Sequence, residues 1–274
     1  MQPLAICAVF RNEQPYLREW VEWHLMQGVS KIYLYNNEST DDWLPELGHH
    51  IATGEVEVID WPGRPCQIQA YQHCLTRFAK HSLWLAFIDI DEFLWSPGGS
   101  TAVEALGAMS KTFGAVAVNW MIFGGGGQAS YSPEPVIERF TWRLAADAEV
   151  NRHCKCIVNM RHTAIHGSTP HDFISEAGTW HECGEQVLGP FSHKHCSQLL
   201  RINHYSTKSR QEWFDRMRLG KPDRGEAEQL YNHEAWWNER QAMDVYDDGL
   251  LRWLPELKRR IQQHPVLVEE AQQV

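Results

Sequence analysis

The segment from Ser82 to Trp95 constrains the fold and the function of the chain more than any other. It begins with an apolar run, Leu83 to Ile88, which has the length and composition of a buried strand. Three carboxylates follow at once, on Asp89, Asp91 and Glu92. Because carboxylates at the end of a buried strand repel one another and lose hydration, a fold retains them most easily around a positive charge.

The spacing of Asp89 and Asp91 indicates which charge this is. Residues two apart in an extended chain point to the same side, so both carboxylates can face one ligand. We interpret the pair as a Mg²⁺ or Mn²⁺ site that holds the phosphates of a nucleoside diphosphate. The alternative is a strand that ends in a solvated acidic turn.

Three earlier strands are predicted, and each of them also ends in polar residues. They are residues 4–10, 31–35 and 56–59, with helices predicted at 16–27 and 67–78 and a loop between the second and third strands. This alternation indicates a parallel sheet with right-handed crossovers. The polar ends of its strands, including the fourth strand before Asp89, then meet at one edge, where open α/β sheets bind ligands.

The rest of the chain is predicted to add a helix at 101–109, strands at 115–121 and from Ser197 to His204, and helices at 211–219 and 250–263. Four consecutive glycines, 124–127, predict a loop beside the ligand. The part from 151 to 204 is rich in histidine and cysteine. Cys154 and Cys156 have one residue between them rather than the two of common zinc sites, so this part leaves a structural zinc open.

Charge and cysteine usage narrow the class of protein. A net charge of −10 argues against nucleic acid as a partner, but not against phosphate, since a bound cation inverts the local sign. Seven scattered cysteines without a signal peptide indicate a reducing cytosol. No apolar run approaches the roughly 20 residues of a membrane span. The basic residues Lys258, Arg259 and Arg260 predict either peripheral contact with an acidic inner-membrane surface or a solvated helix face.

Three stretches carry a resemblance to a known family: RNE…YLREWVEWHLMQGVSKIYLYNNESTDD, FIDIDEFLW and INHYSTKSRQEWFDRMRLGK. Together they resemble bacterial glycosyltransferases related to families 2 and 92, in the family's order and over most of residues 4 to 221. The resemblance implies a GT-A fold, an α/β architecture with a Rossmann-like mixed, mainly parallel sheet flanked by helices. We expect a catalytic domain at 1–221 and a helical C-terminal extension at 222–274.

The resemblance also implies the reaction. A metal-dependent enzyme of this kind moves a sugar from a nucleotide diphosphate donor, here a UDP-sugar, to a glycan or lipid-linked acceptor with inversion. A surface polysaccharide or lipopolysaccharide core is the implied acceptor class. A cation that bridges the two phosphates would stabilise the charge of the leaving group, and a base would take the proton of the acceptor hydroxyl.

By this likeness each candidate residue has a role. The metal ligands would be Asp89 and Asp91 with His204 or His171, and the base would be Asp172 or Glu176. The nucleotide pocket would comprise Arg11, Asn12, Glu13, Asn36, Asn37, Arg64, Gln67 and Asp89. Lys155 and Lys208 are further candidates for contact with the diphosphate because they carry positive charge.

Two other functions fit parts of the pattern. A nucleotidyltransferase on a similar sheet would also use paired carboxylates for metal, but would favour a nucleoside triphosphate over a nucleotide-sugar. A zinc-stabilised carbohydrate-binding protein would use the histidine- and cysteine-rich part instead. The identity of the reaction product separates the first of these from a glycosyltransferase, and metal content tests the second.

Overall fold

The computed structural model describes residues 2–109, 111–219, 234, 237–238 and 243–263. Its strands are β1 (Gln2–Phe10), β2 (Lys31–Asn36), β3 (Val56–Asp60), β4 (Ser82–Phe87), β5 (Glu92–Trp95), β6 (Ala115–Ile122), β7 (Trp142–Arg143), β8 (Cys154–Asn159), β9 (Ala164–His166), β10 (Phe173–Ser175), β11 (Thr179–His181), β12 (Arg201–His204) and β13 (Val245–Tyr246). Its α-helices are α1 (Gln14–Met26), α2 (Leu44–Ala52), α3 (Gln67–Phe78), α4 (Ala102–Gly107), α5 (Val136–Arg139), α6 (Arg210–Leu219) and α7 (Leu254–Gln263). Short 3-10 helices span Glu149–Arg152 and Leu251–Trp253.

One nine-stranded sheet organises the molecule. Its strand order is β3-β2-β1-β4-β8-β6-β12-β5, and β11 pairs with the first half of β6 while β12 pairs with the second half. Strands β1 to β4 are parallel to one another, whereas β8 runs antiparallel to both β4 and β6. The prediction of a mixed, mainly parallel sheet flanked by helices is confirmed.

Strand β1 is buried on both faces, as a central parallel strand requires. Because side chains alternate along a strand, its even-numbered and odd-numbered residues enter different cores. The even-numbered residues from Leu4 to Phe10 join a cluster that contains Trp20 and Val21 of α1. Ala5, Cys7 and Val9 join a second cluster with α3. The position of β1 between two helical layers is therefore already encoded in its unbroken apolar run.

Two predicted elements differ from the structure. Helix α2 occupies the connection between β2 and β3 that we expected to be a loop, and its buried Leu47 and His50 lie on one face, three residues apart. The acidic segment is also not continuously extended, because β4 ends at Phe87 and β5 begins only at Glu92. The carboxylates of Asp89 and Asp91 thus project from the turn between two strands that pair with different neighbours, β1 and β12.

The described part of the C-terminal extension is not only helical. Strand β13 pairs antiparallel with β7, and Asp247 lies 2.6 Å from Arg143 Nε and 3.1 Å from Arg201 Nη1. Helix α7 packs against α1. The domain boundary predicted at 221 lies outside the described residues and stays a prediction.

The basic residues of α7 are all engaged in ion pairs. Lys258 pairs with Glu138 at 2.6 Å, Arg259 with Glu256 of its own helix, and Arg260 Nε with Glu22 at 2.8 Å. This part of the surface thus binds neighbouring glutamates. Across the described ranges, the helices lack the combination of length and apolarity that spanning a bilayer demands.

A buried charge network joins α1, α2 and α7. Glu22 is fully buried between Arg260 and His50, whose Nε2 lies 3.2 Å from Glu22 Oε1 and whose Nδ1 lies 2.9 Å from Glu55 Oε2. Burial alone would lower the pKa of His50, but the two carboxylates outweigh it and raise the pKa above its ordinary value. The network therefore contains a histidine that is charged in the folded state at higher pH than in the unfolded chain.

This network predicts a pH-dependent stability. Charged His50 stabilises the fold fully below the ordinary histidine pKa of about 6.5, and that contribution is lost as pH rises through the raised folded-state pKa. We expect His50→Gln to lower the free energy of unfolding by about 1–3 kcal/mol near pH 6, and by less at pH values above the folded-state pKa. Denaturant unfolding across this pH range measures the difference.

The control is His162→Gln, which removes a histidine whose pairing with Glu176, at 3.7 Å, lies near the surface. We expect little change in stability from this variant at any pH. A difference between wild type and His50→Gln that does not shrink with rising pH would contradict a charged His50.

Candidate active site

The carboxyl ends of the strands meet around one pocket of about 210 Å³. Residues at or just after the ends of β1, β2, β4, β6 and β12 line it, together with the start of α3 and one face of α6. Strands β6 and β12 contribute to the same edge because the antiparallel β8 between β4 and β6 returns β6 to the direction of β4. The edge predicted from the first four strands is thus extended by two later ones.

Asp89 is held by three donors from two elements. Lys155 Nζ of β8 donates to Asp89 Oδ2 at 2.8 Å, and Gln67 Nε2 and Tyr71 OH of α3 donate to Oδ1 at 2.8 and 3.1 Å. Burial would raise the pKa of Asp89, but the Lys155 ammonium group lowers it below its ordinary value. Asp89 is therefore an oriented, ionised carboxylate.

Lys155 is itself completely buried, and its Nζ also lies 3.7 Å from Glu92 Oε2. Burial lowers the pKa of Lys155, but the adjacent carboxylates of Asp89 and Glu92 more than compensate and raise it. For Glu92 burial has the larger effect: it raises the pKa of Glu92 well above the ordinary value, although the Lys155 charge opposes this shift. The charge pair beneath the pocket is thus Lys155 with Asp89, with Glu92 favoured in its protonated form.

Asp91 is bound by a second cation. Arg216 of α6 donates to Asp91 Oδ2, and His204 Nε2 lies 3.3 Å from the same oxygen. Burial would raise the pKa of Asp91, but Arg216 and then His204 hold it well below its ordinary value. The other oxygen, Oδ1, is buried and finds no hydrogen-bond partner among the described residues.

An aromatic wall closes the pocket beside these carboxylates. The ring of Trp120 lies 4.3 Å from that of His204 and 5.0 Å from that of His171, measured between centroids. Burial lowers the pKa of His204, and it lowers that of His171 to about 3. Both imidazoles are therefore neutral near pH 7, the form in which histidine coordinates a metal.

The donor set at Asp91 fits a divalent cation. It offers a buried carboxylate oxygen without a partner and a neutral imidazole, ligand types that suit Mn²⁺. Asp89 fits less directly, since both its oxygens already accept hydrogen bonds from side chains. Within the described part of the chain, the groups of three potential ligand atoms within 4.8 Å of one another lie elsewhere, at residues 49–55 and 181–196.

The same pocket carries positive charge for an anion. Arg11 and Arg64 both line it, while the acidic Asp89 and Asp91 are matched by Lys155 and Arg216. Arg11 Nε is buried and has no hydrogen-bond partner within the described ranges. Arg11 and Arg64 thus bring two guanidinium groups to the pocket, and guanidinium groups are well suited to bind a diphosphate.

The structure brings nine of the predicted site residues to the wall of this pocket: Arg11, Glu13, Asn37, Arg64, Gln67, Asp89, Asp91, His171 and His204. Lys155 does not line the pocket, but it donates a hydrogen bond to Asp89, which does. Asn12, with a left-handed φ of 54°, accepts a 2.7 Å hydrogen bond from Thr40 N, and Asn36 donates to Asp60. These two asparagines tie loops together instead of lining the pocket.

Lys208 does not line the main pocket. Its Nζ is 4.2 Å from the centroid of the Tyr16 ring, and it lines a neighbouring cavity of about 270 Å³. That cavity shares Glu13 and Arg216 with the main pocket.

The structure does not bring either predicted base to the pocket wall. The carboxylate of Asp172 accepts hydrogen bonds from Ser168 N, Thr169 N and Thr169 Oγ1, so it closes its own turn. Glu176 is exposed on its side chain and accepts from Thr163 N at 3.1 Å. Local hydrogen bonding within the loop thus accounts for both carboxylates.

Sequence reasoning missed Arg216 and Trp120. Arg216 lies on the same face of α6 as Trp213 and Met217, and all three line the pocket. Because residues three and four apart on a helix share a face, helical periodicity would identify Arg216 once Trp213 and Met217 are known to face the pocket. Trp120 lies on β6 and carries no comparable signal. The glycines from 124 to 127 do not line the main pocket; Gly126 and Gly127 border a separate surface cavity.

Comparison with known proteins identifies the family. The family model for glycosyltransferase family 92 matches residues 2–224. The chain belongs to glycosyltransferase family 92. The resemblance stated from three sequence motifs is therefore confirmed.

Curated relatives of this family 92 chain are longer than the chain itself. A family 92 protein of Oryza sativa subsp. japonica is 28% identical over 260 residues, which cover 90% of this chain and 43% of the rice protein. A family 92 protein of Ricinus communis is 30% identical over 145 residues, covering 52% of this chain and 26% of that protein. The chain thus spans less than half the length of these curated relatives.

Solved structures similar to the family 92 chain are remote. Staphylococcus aureus TarS 1-349 has a TM-score of 0.38 and 10% identity, with 96% of this chain and 72% of that chain covered. Mycobacterium tuberculosis glucosyl-3-phosphoglycerate synthase in complex with Mn²⁺, UDP and glucosyl-3-phosphoglycerate has a TM-score of 0.31 and 15% identity, with 43% of each chain covered. Scores this low carry no argument about the ligands of the family 92 chain.

Lys155 provides the first test of the site. Lys155→Met leaves the partly exposed Asp89 without its cation, and the loss of one partner from a fully buried pair, which sets the upper bound, costs about 3–5 kcal/mol. We expect a loss of unfolding free energy up to that bound near pH 7. Because Asp89 in the variant regains a higher pKa and takes up a proton, the loss should shrink as pH falls towards the ordinary carboxyl range of about 4.

Lys80→Met, at an exposed lysine, is the matched control and should change stability little. Denaturant unfolding of both variants at pH 7 and pH 4.5 measures the effect. A Lys155→Met variant as stable as wild type at pH 7 would contradict the paired state of Asp89.

Proposed function

We propose that this chain is the catalytic part of a glycosyltransferase that moves a sugar from a nucleotide diphosphate, with UDP-sugar as the donor class. Family membership supports the reaction type. One observation carries the proposal for the site: negatively charged and positively charged side chains line the same pocket. The carboxylates are those of Asp89 and Asp91, each in an ion pair, and the positive charges are those of Arg11 and Arg64. Family membership also favours sugar transfer over the nucleotidyltransferase alternative.

The nucleotide side of the pocket is formed by loops that brace one another. Asn37, buried after β2, donates through Nδ2 to Trp61 O at 2.8 Å and Gly63 O at 2.9 Å, which fixes the loop that carries Arg64. Arg64 in turn donates to Leu219 O at 2.7 Å at the end of α6. We propose that Arg11 and Arg64 bind the diphosphate, while Asn37 binds the ribose and nucleobase.

A divalent cation, Mn²⁺ or Mg²⁺, is proposed at Asp91 and His204, with Asp89 beside them and His171 as a further candidate. When bound, it would stabilise the negative charge that develops on the diphosphate leaving group. Lys155 keeps Asp89 ionised and fixed, and Gln67 and Tyr71 hold the orientation of its carboxylate. Arg216 occupies the other oxygen of Asp91 and adds positive charge at the mouth of the pocket.

The acceptor side is proposed to be the neighbouring cavity lined by Tyr16, Tyr131 and Lys208. Aromatic faces bind the apolar faces of sugars, and Tyr131 is 41% exposed. A glycan or lipid-linked saccharide is the proposed acceptor class. Contact of Lys258, Arg259 and Arg260 with an acidic membrane surface stays a prediction, and so does the cytoplasmic location.

Inversion requires a base for the acceptor hydroxyl, and we propose Glu13 for this role instead of Asp172 or Glu176. Glu13 lines both cavities, so its carboxylate lies where donor and acceptor would meet. Burial raises the pKa of Glu13, although Lys208 and Arg216 oppose the shift. A raised pKa makes a carboxylate a better proton acceptor near neutral pH.

Ligand binding tests the donor and metal sites together. We expect UDP with Mn²⁺ to raise the melting temperature, with a gain of about 2.7 kcal/mol in unfolding free energy at ligand concentrations 100 times the Kd. Asp91→Asn should remove the Mn²⁺-dependent part of the rise and abolish turnover of nucleotide-sugars. The control Asp147→Asn alters an exposed carboxylate outside the pocket and should behave as wild type.

Differential scanning fluorimetry with several nucleoside diphosphates, each with and without metal, measures the first effect. Product analysis on a panel of nucleotide-sugars measures the second. An unchanged melting temperature with every diphosphate and metal would contradict the proposed function.

The choice of base is tested by comparing Glu13→Gln with Asp172→Asn. A general base typically contributes about 10²–10⁴-fold to the rate, so Glu13→Gln should lower kcat by that factor and remove the acidic limb of the pH–rate profile. Asp172→Asn should weaken its turn and lower stability without such a change in the profile. The reverse pattern in steady-state kinetics would return the base to Asp172.

A further inference from the structure

We propose a zinc site formed by His181, Cys183 and Cys196, none of which lines the candidate active site. One ligand atom from each residue lies within 4.8 Å of the other two. His181 is buried, Cys196 is half-buried and Cys183 is exposed, so an ion can enter from solvent. The proposal is independent of the proposed glycosyltransferase reaction.

The geometry fits a tetrahedral ion. His181 Nδ1 and Cys183 Sγ are 3.4 Å apart. Zinc bound at about 2.3 Å from sulfur and about 2.0–2.1 Å from nitrogen places these two ligand atoms roughly 3.6 Å apart. The imidazole and the thiol are thus already close to the separation that coordination requires.

The ligand chemistry selects zinc over the cations proposed for the pocket. Two thiolates and an imidazole are soft and borderline ligands, which favour Zn²⁺ and disfavour Mg²⁺. Binding would release two thiol protons, so the two thiolates would balance the charge of the ion. The three side chains leave the fourth tetrahedral position to water.

The segment that carries these ligands has little regular secondary structure. Between β11 and β12 it forms no helix or strand, and it exposes Leu188, Phe191 and Leu199. Its own carboxylates already fold it back: Glu182 accepts from the backbone of residues 198–200, and Glu185 accepts from the backbone of residues 193–194. Its apolar packing is small, with Val187 buried against Ala117 and Cys154. A metal cross-link between 181 and 196 would complete this closed loop.

The loop also supports the strands beneath the active site. Pro190 O accepts from Cys154 N at 2.9 Å, and Cys196 N donates to Asn119 Oδ1 at 3.0 Å. Cys154 and Asn119 are next in sequence to Lys155 and Trp120, the residues that hold Asp89 and form the aromatic wall. The proposed zinc would therefore stabilise the strands that carry these two residues.

The closely spaced cysteines of the sequence, Cys154 and Cys156, are not part of this site. Cys154 and Cys156 lie on one strand with Lys155 between them, and their thiols donate to the backbone oxygens of Arg152 and His171. Cys183 and Cys196 are separated by twelve residues in sequence, and only the fold brings them together.

Metal analysis of the whole chain, purified without chelator, tests the site. We expect about one zinc per chain, and a fall of about tenfold or more in zinc content in Cys183→Ser and in Cys196→Ser. Cys74→Ala, which removes a buried thiol of α3, is the matched control and should keep its zinc. Zinc absent from the wild type even after incubation with the ion would overturn the proposal, as would equal zinc content in all variants.

A measurement on the wild type avoids any dependence on the folding of the variants. Zinc should protect Cys183 and Cys196 from alkylation, and removal of zinc with a chelator should make Cys183 reactive, as read by peptide mass spectrometry. A disulfide between Cys183 and Cys196 in protein prepared under reducing conditions would overturn the proposal. So would an alkylation rate of Cys183 that zinc does not change.

Discussion

The buried ion pair between Lys155 and Asp89 is the interaction on which the rest of the site depends. It sits at the carboxyl edge of the sheet, where β4 ends and β8 returns beside it. Without the ammonium group, the turn from Asp89 to Glu92 would place three acidic side chains close together, two of them, Asp91 and Glu92, buried. With it, Asp89 is ionised and fixed by three donors, and the turn can present Asp91 to the pocket.

A second cation, Arg216, pairs with Asp91. Arg216 lies on α6, far along the chain from Asp91, and their contact closes the helix over the pocket. With both aspartates paired to cations, Arg11 and Arg64 add guanidinium groups to the cavity, which suit an anionic ligand although the whole chain carries a charge of −10. Local charge arrangement, rather than net charge, decides what such a pocket binds.

Particular residues show how much of the site could be predicted from the sequence. Seven of the nine predicted site residues share the pocket because each follows a strand that was identifiable from its apolar run, or lies on a motif that resembles the family. The other two are Gln67, which begins a predicted helix, and His171, which was named only as a second choice of metal ligand. Asp172 and Glu176 were chosen only as carboxylates in a plausible stretch, and the hydrogen bonds of a tight turn and of an exposed loop account for them. Helix α2 escaped prediction because only one short face of it is buried.

By itself, the sequence determined the alternation of strands and helices, the direction of the first four strands and the acidic turn at their common edge. Local patterns are sufficient for these features, because apolar periodicity and polar strand ends are properties of neighbouring residues. Tertiary structure alone decided that Lys155 neutralises Asp89, that Arg216 reaches Asp91 and that Cys183 meets Cys196. These partners are far apart in the chain, and only the packing of the sheet and its loops brings their charges and ligand atoms within reach of one another.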